Sequence, residues 1–245
     1  MKLDILAFGV HPDDIELSCA GTLLKEKKNG KKTGIVDLTK GELGTRGTAE
    51  TRLQESEDAA AILGVEIREN LEMHDGFFLN DSENKLKVIG AIRKYRPEIV
   101  LCNAPEDRHP DHGRSSQLLT DAGFLSGLKK ISTKGADGKE QKEWRPKYIF
   151  QYIQDRYLKP DFLIDVSDVF EMKIEAIKAF KTQFHIPESD NKEPQTYISS
   201  AEFLESIVYR AKLFGKMIGV KYAEGFITSK MIGFSSFDSF ICEDT

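Results

Sequence analysis

Four side chains able to bind a metal or move a proton, His11, Asp13, Asp14 and Glu16, fall within six residues of Phe8-Gly9-Val10-His11-Pro12-Asp13-Asp14-Ile15-Glu16. A second such group is Pro105-Glu106-Asp107-Arg108-His109-Pro110-Asp111-His112-Gly113-Arg114, so three of the five histidines sit in two short stretches. Imidazole nitrogens and carboxylate oxygens are ligands for divalent cations of the zinc class. Two histidines and one carboxylate leave an open position on a tetrahedral ion, which can then lower the pKa of bound water to about 7 and polarise a carbonyl. His11 and Asp14, three residues apart, reach one point if the chain turns there into a helix. Asp13 must point elsewhere, which frees it to act as a base toward a water on the metal. Whichever of His109 and His112 is not a ligand is available to donate to an oxyanion or to protonate a leaving group. The competing reading is that the first carboxylates only cap a helix N-terminus. His74 and His185 read as structural or solvated.

These groups need strand ends to hold them. Leu3–Val10 is apolar on both parities, as a strand buried on both faces should be. Ile15–Lys28 reads as one helix, with Pro12 suited to its first turn and Asn29-Gly30 as its stop. Strands are predicted at Thr33–Leu38, Ile67–Met73, Ile99–Asn103, Tyr148–Ile153 and Phe162–Val166. Helices are predicted at Thr48–Leu63, Lys85–Tyr95, from after His112 to about Leu128, at Ser167–Thr182 and at Ala201–Phe214. The two histidines of the second group then lie in a loop. Residues 129–147 lose periodicity and read as a polar surface excursion within a single domain spanning 1–245. The alternation predicts an α/β fold, a mostly parallel sheet with helices on both faces. In such sheets functional groups collect where strands end. The first junction lacks the glycine fingerprint of dinucleotide sites, and its carboxylates would repel phosphate and attract a cation.

The chain has 245 residues, with 35 Lys+Arg against 40 Asp+Glu and a formal net charge of −5. That balance speaks against a nucleic-acid partner. No apolar run approaches the roughly 18 residues of a membrane span. The apolar stretch Ile5–Val10 stops at His11-Pro12-Asp13-Asp14, too early and too acidic for a signal peptide, so the expected location is cytoplasmic. Cys19, Cys102 and Cys242 are far apart and form no C-x-x-C, which implies neither a disulfide framework nor a thiolate zinc site. Cys19 and Cys102 read as buried small residues.

Gly9-Val10-His11-Pro12-Asp13-Asp14-Ile15-Glu16 together with His109-Pro110-Asp111-His112-Gly113 resembles the paired signature of the PIG-L/LmbE-type zinc-dependent N-acetylglucosamine deacetylases. The likeness continues through Lys40-Gly41-Glu42-Leu43-Gly44-Thr45-Arg46-Gly47, Arg52-x-x-Glu55 and Tyr222-Ala223-Glu224-Gly225-Phe226. Within that family the chain most resembles the bacillithiol-pathway enzymes acting on N-acetylglucosaminyl-malate. The resemblance implies a Rossmann-like fold, with His11, Asp14 and His112 as ligands to Zn²⁺ and Asp13 as general base. It implies His109 as oxyanion stabiliser or acid, and Asp111 as the residue orienting a neighbouring histidine. It also implies a homo-oligomer, a hexamer in related enzymes. Fe²⁺ and Co²⁺ suit the same donors.

The substrate reading is a small amidosugar. Arg52 is expected to hold the sugar or its acidic substituent and Arg108 to read malate, since guanidinium groups pair bidentately with carboxylates. An exposed helix residue and a loop salt bridge are the plain alternatives. Arg46 is a candidate to line the pocket, and Tyr197 to cover it from the C-terminal region. Glu16 is read either as support for a ligand or as helix-start stabilisation. Other amidosugars, such as N,N′-diacetylchitobiose or an antibiotic intermediate, and a non-catalytic binding protein of the same fold are the alternative functions.

Overall fold

The computed structural model describes residues 1–184 and 194–237, so His185 and Cys242 lie outside the described residues. One sheet carries seven strands: β1 (Ile5–Gly9), β2 (Thr33–Thr39), β3 (Ile67–Met73), β4 (Ile99–Asn103), β5 (Tyr148–Tyr152), β6 (Phe162–Asp165) and β7 (Ala223–Ile227). Their order is β3-β2-β1-β4-β5-β7-β6. The first five neighbours run parallel, and β7 lies antiparallel between β5 and β6. The helices are α1 (Asp14–Ser18), α2 (Ala20–Lys28), α3 (Ala49–Leu63), α4 (Ser82–Tyr95), α5 (Pro110–Leu125), α6 (Phe170–Lys178) and α7 (Ala201–Ile218). The expected fold class holds. No described helix is long and apolar enough to cross a membrane.

The two parities of β1 serve two cores, as its sequence predicts. Leu6 and Phe8 join Val36, Val88, Ile92, Leu118 and Leu119 on the face covered by α4 and α5. Ile5 and Ala7 join Ile15, Leu23, Ile35, Val166 and Phe170 on the opposite face. All five residues of β1 are buried, so period-2 alternation is absent and only double-sided burial explains it. The strand order reverses between β1 and β4, which places the β1–α1 and β4–α5 junctions side by side at the carboxyl edge. That crevice is where open α/β sheets build sites.

Four sequence readings need correction. The helix expected at Ile15–Lys28 is broken at Cys19 into α1 and α2. A buried pair takes the backbone groups that the break releases. Lys173 Nζ donates to Ser18 O (3.0 Å), and the Glu224 carboxylate accepts from Gly21 N (2.9 Å) and Thr22 N (2.7 Å). Lys173 and Glu224 stand 2.5 Å apart, both almost fully buried. Pro12 precedes the helix, because Asp13 is the N-cap of α1. Helix α6 is shorter than Ser167–Thr182, since Asp165 Oδ1 accepts from both Ser167 N and Ser167 Oγ and holds the preceding residues in a turn. Finally, β7 is a strand that the apolar pattern does not predict, because its glutamate and glycine interrupt that pattern.

The excursion at 129–147 is pinned rather than loose. The Arg93 guanidinium donates to the carbonyls of Ser126, Leu128 and Ile131, and Trp144 Nε1 donates to Pro97 O. Among the described residues, none of this segment lines the crevice at the β1 and β4 ends.

Candidate metal centre and its cleft

The β1 strand ends at Gly9, and the chain turns within four residues into α1. A Cβ at Gly9 would lie 3.2 Å from Asp14 Cβ and 3.3 Å from His11 O, so any larger residue would push this turn apart by a few tenths of an ångström. Asp14, first residue of α1, thereby folds back under its own strand. Its Oδ2 accepts from Val10 N (2.9 Å), His11 N (3.0 Å) and Asn103 Nδ2 (3.1 Å), and its Oδ1 accepts from Gln154 Nε2 (2.8 Å). Burial alone would raise the Asp14 pKa, but the neighbouring His112 and these donors hold it well below the ordinary carboxylate range.

The second junction delivers two imidazoles. His109 caps α5, with Pro110 as first helical residue, so His112 stands in the first helical turn and not in a loop. Its Nδ1 donates to Asp107 Oδ2 at 2.7 Å, which directs Nε2 toward Asp14 Oδ1, 3.3 Å away. That Nε2 is buried and has no hydrogen-bond partner. Burial would depress the His112 pKa; the Asp14 and Asp107 carboxylates instead push it up to about 10. A base so flanked by anions is satisfied by a proton or, better, by a divalent cation. His11 Nδ1 lies 3.8 Å from Asp14 Oδ2, while its Nε2 is 3.0 Å from Asp75 Oδ1. The ring centroids of His11, His109 and His112 are 4.6, 5.7 and 5.5 Å apart pairwise, and one ligand atom from each lies within 4.8 Å of the others.

The donors fit a zinc-class ion: ligand atoms of His11, His109 and His112, and of His11, Asp75 and Asp111, lie within 4.8 Å of one another, Asp14 stands beside His11 and His112, and the buried His112 Nε2 has no hydrogen-bond partner. His11 and His112 each also meet a carboxylate, Asp75 and Asp107 respectively. Sequence reasoning missed Asp75, Asp107, Asn103 and Gln154. Only Asp107, five residues before His112 in the same quoted motif, carried a signal. Replacing Asp107 with alanine is expected to weaken zinc affinity by roughly 10- to 100-fold. Competition with a chromophoric chelator measures it, and unchanged affinity would remove Asp107 from the site.

Asp13 faces the same cleft from a strained backbone, φ 126°. It is buried, which pushes its carboxyl up to about 7 against the lowering influence of Arg52. Arg52 Nη2 donates to Asp13 Oδ2 (3.0 Å) and to Pro12 O (2.8 Å), and Nη1 donates to Gly41 O (3.2 Å). Gly41 has φ +65° and touches this guanidinium so closely that any Cβ would overlap it. The hydrogen bonds of Arg52 thus go to protein groups, although it borders the cavity. His109 Nδ1 accepts the backbone N–H of Asp111 (3.3 Å), so a neutral imidazole carries its proton on Nε2. Burial, with His11 and His112 nearby, lowers the His109 pKa and favours that neutral form.

Asp111 is fully buried, and its carboxylate takes Gly76 N (2.8 Å) and Arg114 Nη1 (2.5 Å). Its backbone N–H donates to His109 Nδ1, and its Oδ2 is 3.9 Å from His11 Nε2. Arg46, Arg108 and Tyr197 all line the cavity, whose volume is about 310 Å³. Arg46 is buried; Arg108 and Tyr197 are at its mouth, the tyrosine exposed. Glu16 is not at the site: its Oε1 pairs with Arg68 Nη1 at 2.6 Å, and Arg68 pairs in turn with Asp37. His74 is exposed, and Cys19 and Cys102 are buried and unpaired.

Known proteins share this frame. Residues 6–123 match the PIG-L family model, described as GlcNAc-PI de-N-acetylase. The diacetylchitobiose deacetylase of Thermococcus kodakarensis is 30% identical over 231 residues, covering 90% of this chain and 81% of that protein. The crystal structure of the conserved protein TT1542 from Thermus thermophilus superposes with a TM-score of 0.84 at 34% identity, covering 95% of this chain and 97% of the other. The N,N′-diacetylchitobiose deacetylase from Pyrococcus horikoshii, solved with its inhibitor MPG, has a TM-score of 0.77 at 26% identity, with 91% and 82% covered. The segment that matches the family model contains both histidine junctions, and the likeness to the Thermococcus enzyme runs through most of the remaining chain: the chain belongs to the PIG-L family of deacetylases.

Proposed function

We propose that this cleft removes the acetyl group of an N-acetylglucosamine conjugate, N-acetylglucosaminyl-malate of bacillithiol biosynthesis being the preferred substrate. The observation that carries the reading is the meeting of His11, Asp14 and His112 around an orphaned Nε2, with the buried carboxyl of Asp13 in the same cavity. A zinc ion held by those three residues would supply Lewis acidity and an acidified water, and iron(II) or cobalt(II) would do the same. Asp13 takes the proton given up as water adds to the acetamide carbon. Arg52 fixes Oδ2, which leaves Oδ1 as the accepting oxygen. His109 donates Nε2–H to the oxygen that gains charge, its other nitrogen being occupied by the Asp111 amide. The proton held by Asp13 then passes to the departing glucosamine nitrogen, and acetate leaves. In this scheme Arg52 acts through Asp13 and only secondarily on the sugar.

The aglycone is read at the mouth. Arg108 offers the guanidinium best placed for a malate carboxylate, and Arg46 and Tyr197 border the same space. N,N′-diacetylchitobiose is the second candidate, favoured by the activity named for the Thermococcus and Pyrococcus relatives. Acetate release from N-acetylglucosaminyl-malate, N,N′-diacetylchitobiose and N-acetylglucosamine, with and without chelator, decides among these. We expect release that is fastest on the malate conjugate, stops with chelator and returns with zinc. No acetate from any amidosugar by the zinc-loaded protein would overturn the deacetylase reading. Arg108→Ala is expected to lower kcat/KM on the malate conjugate by roughly 10- to 100-fold, the size of a lost charge-assisted pair, and on N-acetylglucosamine by less than about threefold. Equal losses on both would remove the malate-reading role.

A further inference from the structure

Two carboxylates, Asp107 and Asp155, tie the cavity mouth to the metal centre. Gln154 and Asp155 follow closely on β5. Gln154 holds Asp14, whereas Asp155 turns to the rim. Its Oδ2 accepts from Arg108 Nε at 3.0 Å and its Oδ1 accepts from the Tyr197 hydroxyl at 3.1 Å. The Arg108 guanidinium lies over the Tyr197 ring, 4.5 Å from the centroid. Asp107 anchors the base of the same assembly, its Oδ1 accepting the backbone N–H of Arg108 (2.8 Å) and of Arg156 (2.9 Å). Three chain segments distant in sequence thus meet at the Asp155 carboxylate.

Arg108 and Tyr197 border the cavity; Asp155 does not. The Arg108 side chain is 45% exposed while that of Asp155 is 17% exposed. An exposed arginine left to itself samples many rotamers, and ordering it on binding weakens affinity. With Nε taken by Asp155 and its plane laid on an aromatic ring, Arg108 keeps its two terminal nitrogens in one orientation, and neither has a protein hydrogen-bond partner among the described residues. Paired terminal nitrogens are the donor geometry that a carboxylate or phosphate oxygen pair matches.

We propose that Asp155 is a positioning residue that sets preference for substrates with an anionic group on the aglycone, by holding Arg108 and Tyr197 as one rigid wall. This role rests on the deacetylase reading of the cleft. Its expected effect is opposite in sign to simple electrostatics. Removing a negative charge beside an anion-binding site should, by Coulomb attraction alone, tighten binding of an anionic substrate. Loss of a positioning contact weakens it.

The test uses the zinc-loaded full chain with N-acetylglucosaminyl-malate and neutral methyl N-acetylglucosaminide, comparing Asp155→Asn, Asp155→Ala, Arg108→Ala and the Asp155→Ala/Arg108→Ala double variant. On the conjugate we expect KM to rise about five- to tenfold in Asp155→Ala and by a smaller factor in Asp155→Asn, with kcat changed less than twofold. On the neutral glycoside KM should move less than about twofold. The double variant should be no worse than Arg108→Ala, because both changes remove one interaction. A lowered or unchanged KM in Asp155→Asn, or multiplying losses in the double variant, overturns the positioning role. Should Asp155→Ala not fold, the sign of the Asp155→Asn effect carries the decision. Wild-type protein that releases no acetate even from the neutral glycoside would instead overturn the deacetylase reading and the Asp155 role with it.

Discussion

Asp13→Ala should lower kcat by roughly 10²- to 10⁴-fold while the protein keeps its metal, the range expected when a positioned general base is lost. The separation of the two properties follows from geometry. Asp14 and the two histidines are held by Val10 N, Asn103, Gln154, Asp75 and Asp107, none of which needs the Asp13 side chain. Asp13 answers to a different partner, Arg52. His11→Ala is expected to behave otherwise and lose both zinc and turnover, since His11 is a proposed ligand. Elemental analysis beside single-substrate kinetics on both variants checks the contrast. Near-normal turnover of metal-loaded Asp13→Ala would move the base to another residue.

Glu224→Ala should destabilise the fold by about 3–5 kcal/mol, because it strands the Lys173 ammonium in a buried site. The carboxylate serves Lys173 Nζ, two backbone amides and the Thr22 hydroxyl, so no single water-exposed group can replace it. Burial already lowers the Lys173 pKa, with Glu224 opposing that shift; without Glu224 the lysine would lose its main reason to stay charged. Urea denaturation of the metal-loaded protein measures the cost. A second variant, Glu224→Leu with Lys173→Met, removes both charges and should recover part of the loss. A cost below about 1 kcal/mol for Glu224→Ala would show that the α1–α2 break is held by other contacts.

The frame and the meeting of the two histidine-bearing junctions were legible for one reason: their signals are local. The doubly apolar Leu3–Val10 reports burial on both sides, and the close spacing of His11 with Asp14, and of His109 with His112, reports two clusters at strand ends, although the second reads as a loop and is the start of α5. What escaped depends on contacts between distant residues. Asp75 meets His11 across 64 positions and Gln154 meets Asp14 across 140, and neither residue has a motif of its own. The break at Cys19 was equally hidden, because the apolar stripe runs through it and the pair that stabilises it comes from α6 and β7. Residue type alone points Arg52 toward the sugar; only the fold shows that, while lining the cavity, it also holds Asp13. Helix α5 begins ahead of its hydrophobic pattern, since His109-Pro110 starts it by capping and not by burial.

Asp13 sits in a backbone conformation that glycine would adopt at lower free energy, the left-handed half of φ space being costly for any residue with a Cβ. Replacing it by glycine would relieve that strain and remove the buried carboxyl from the cavity together, so backbone ease and the cleft's polarity are opposed at this one position.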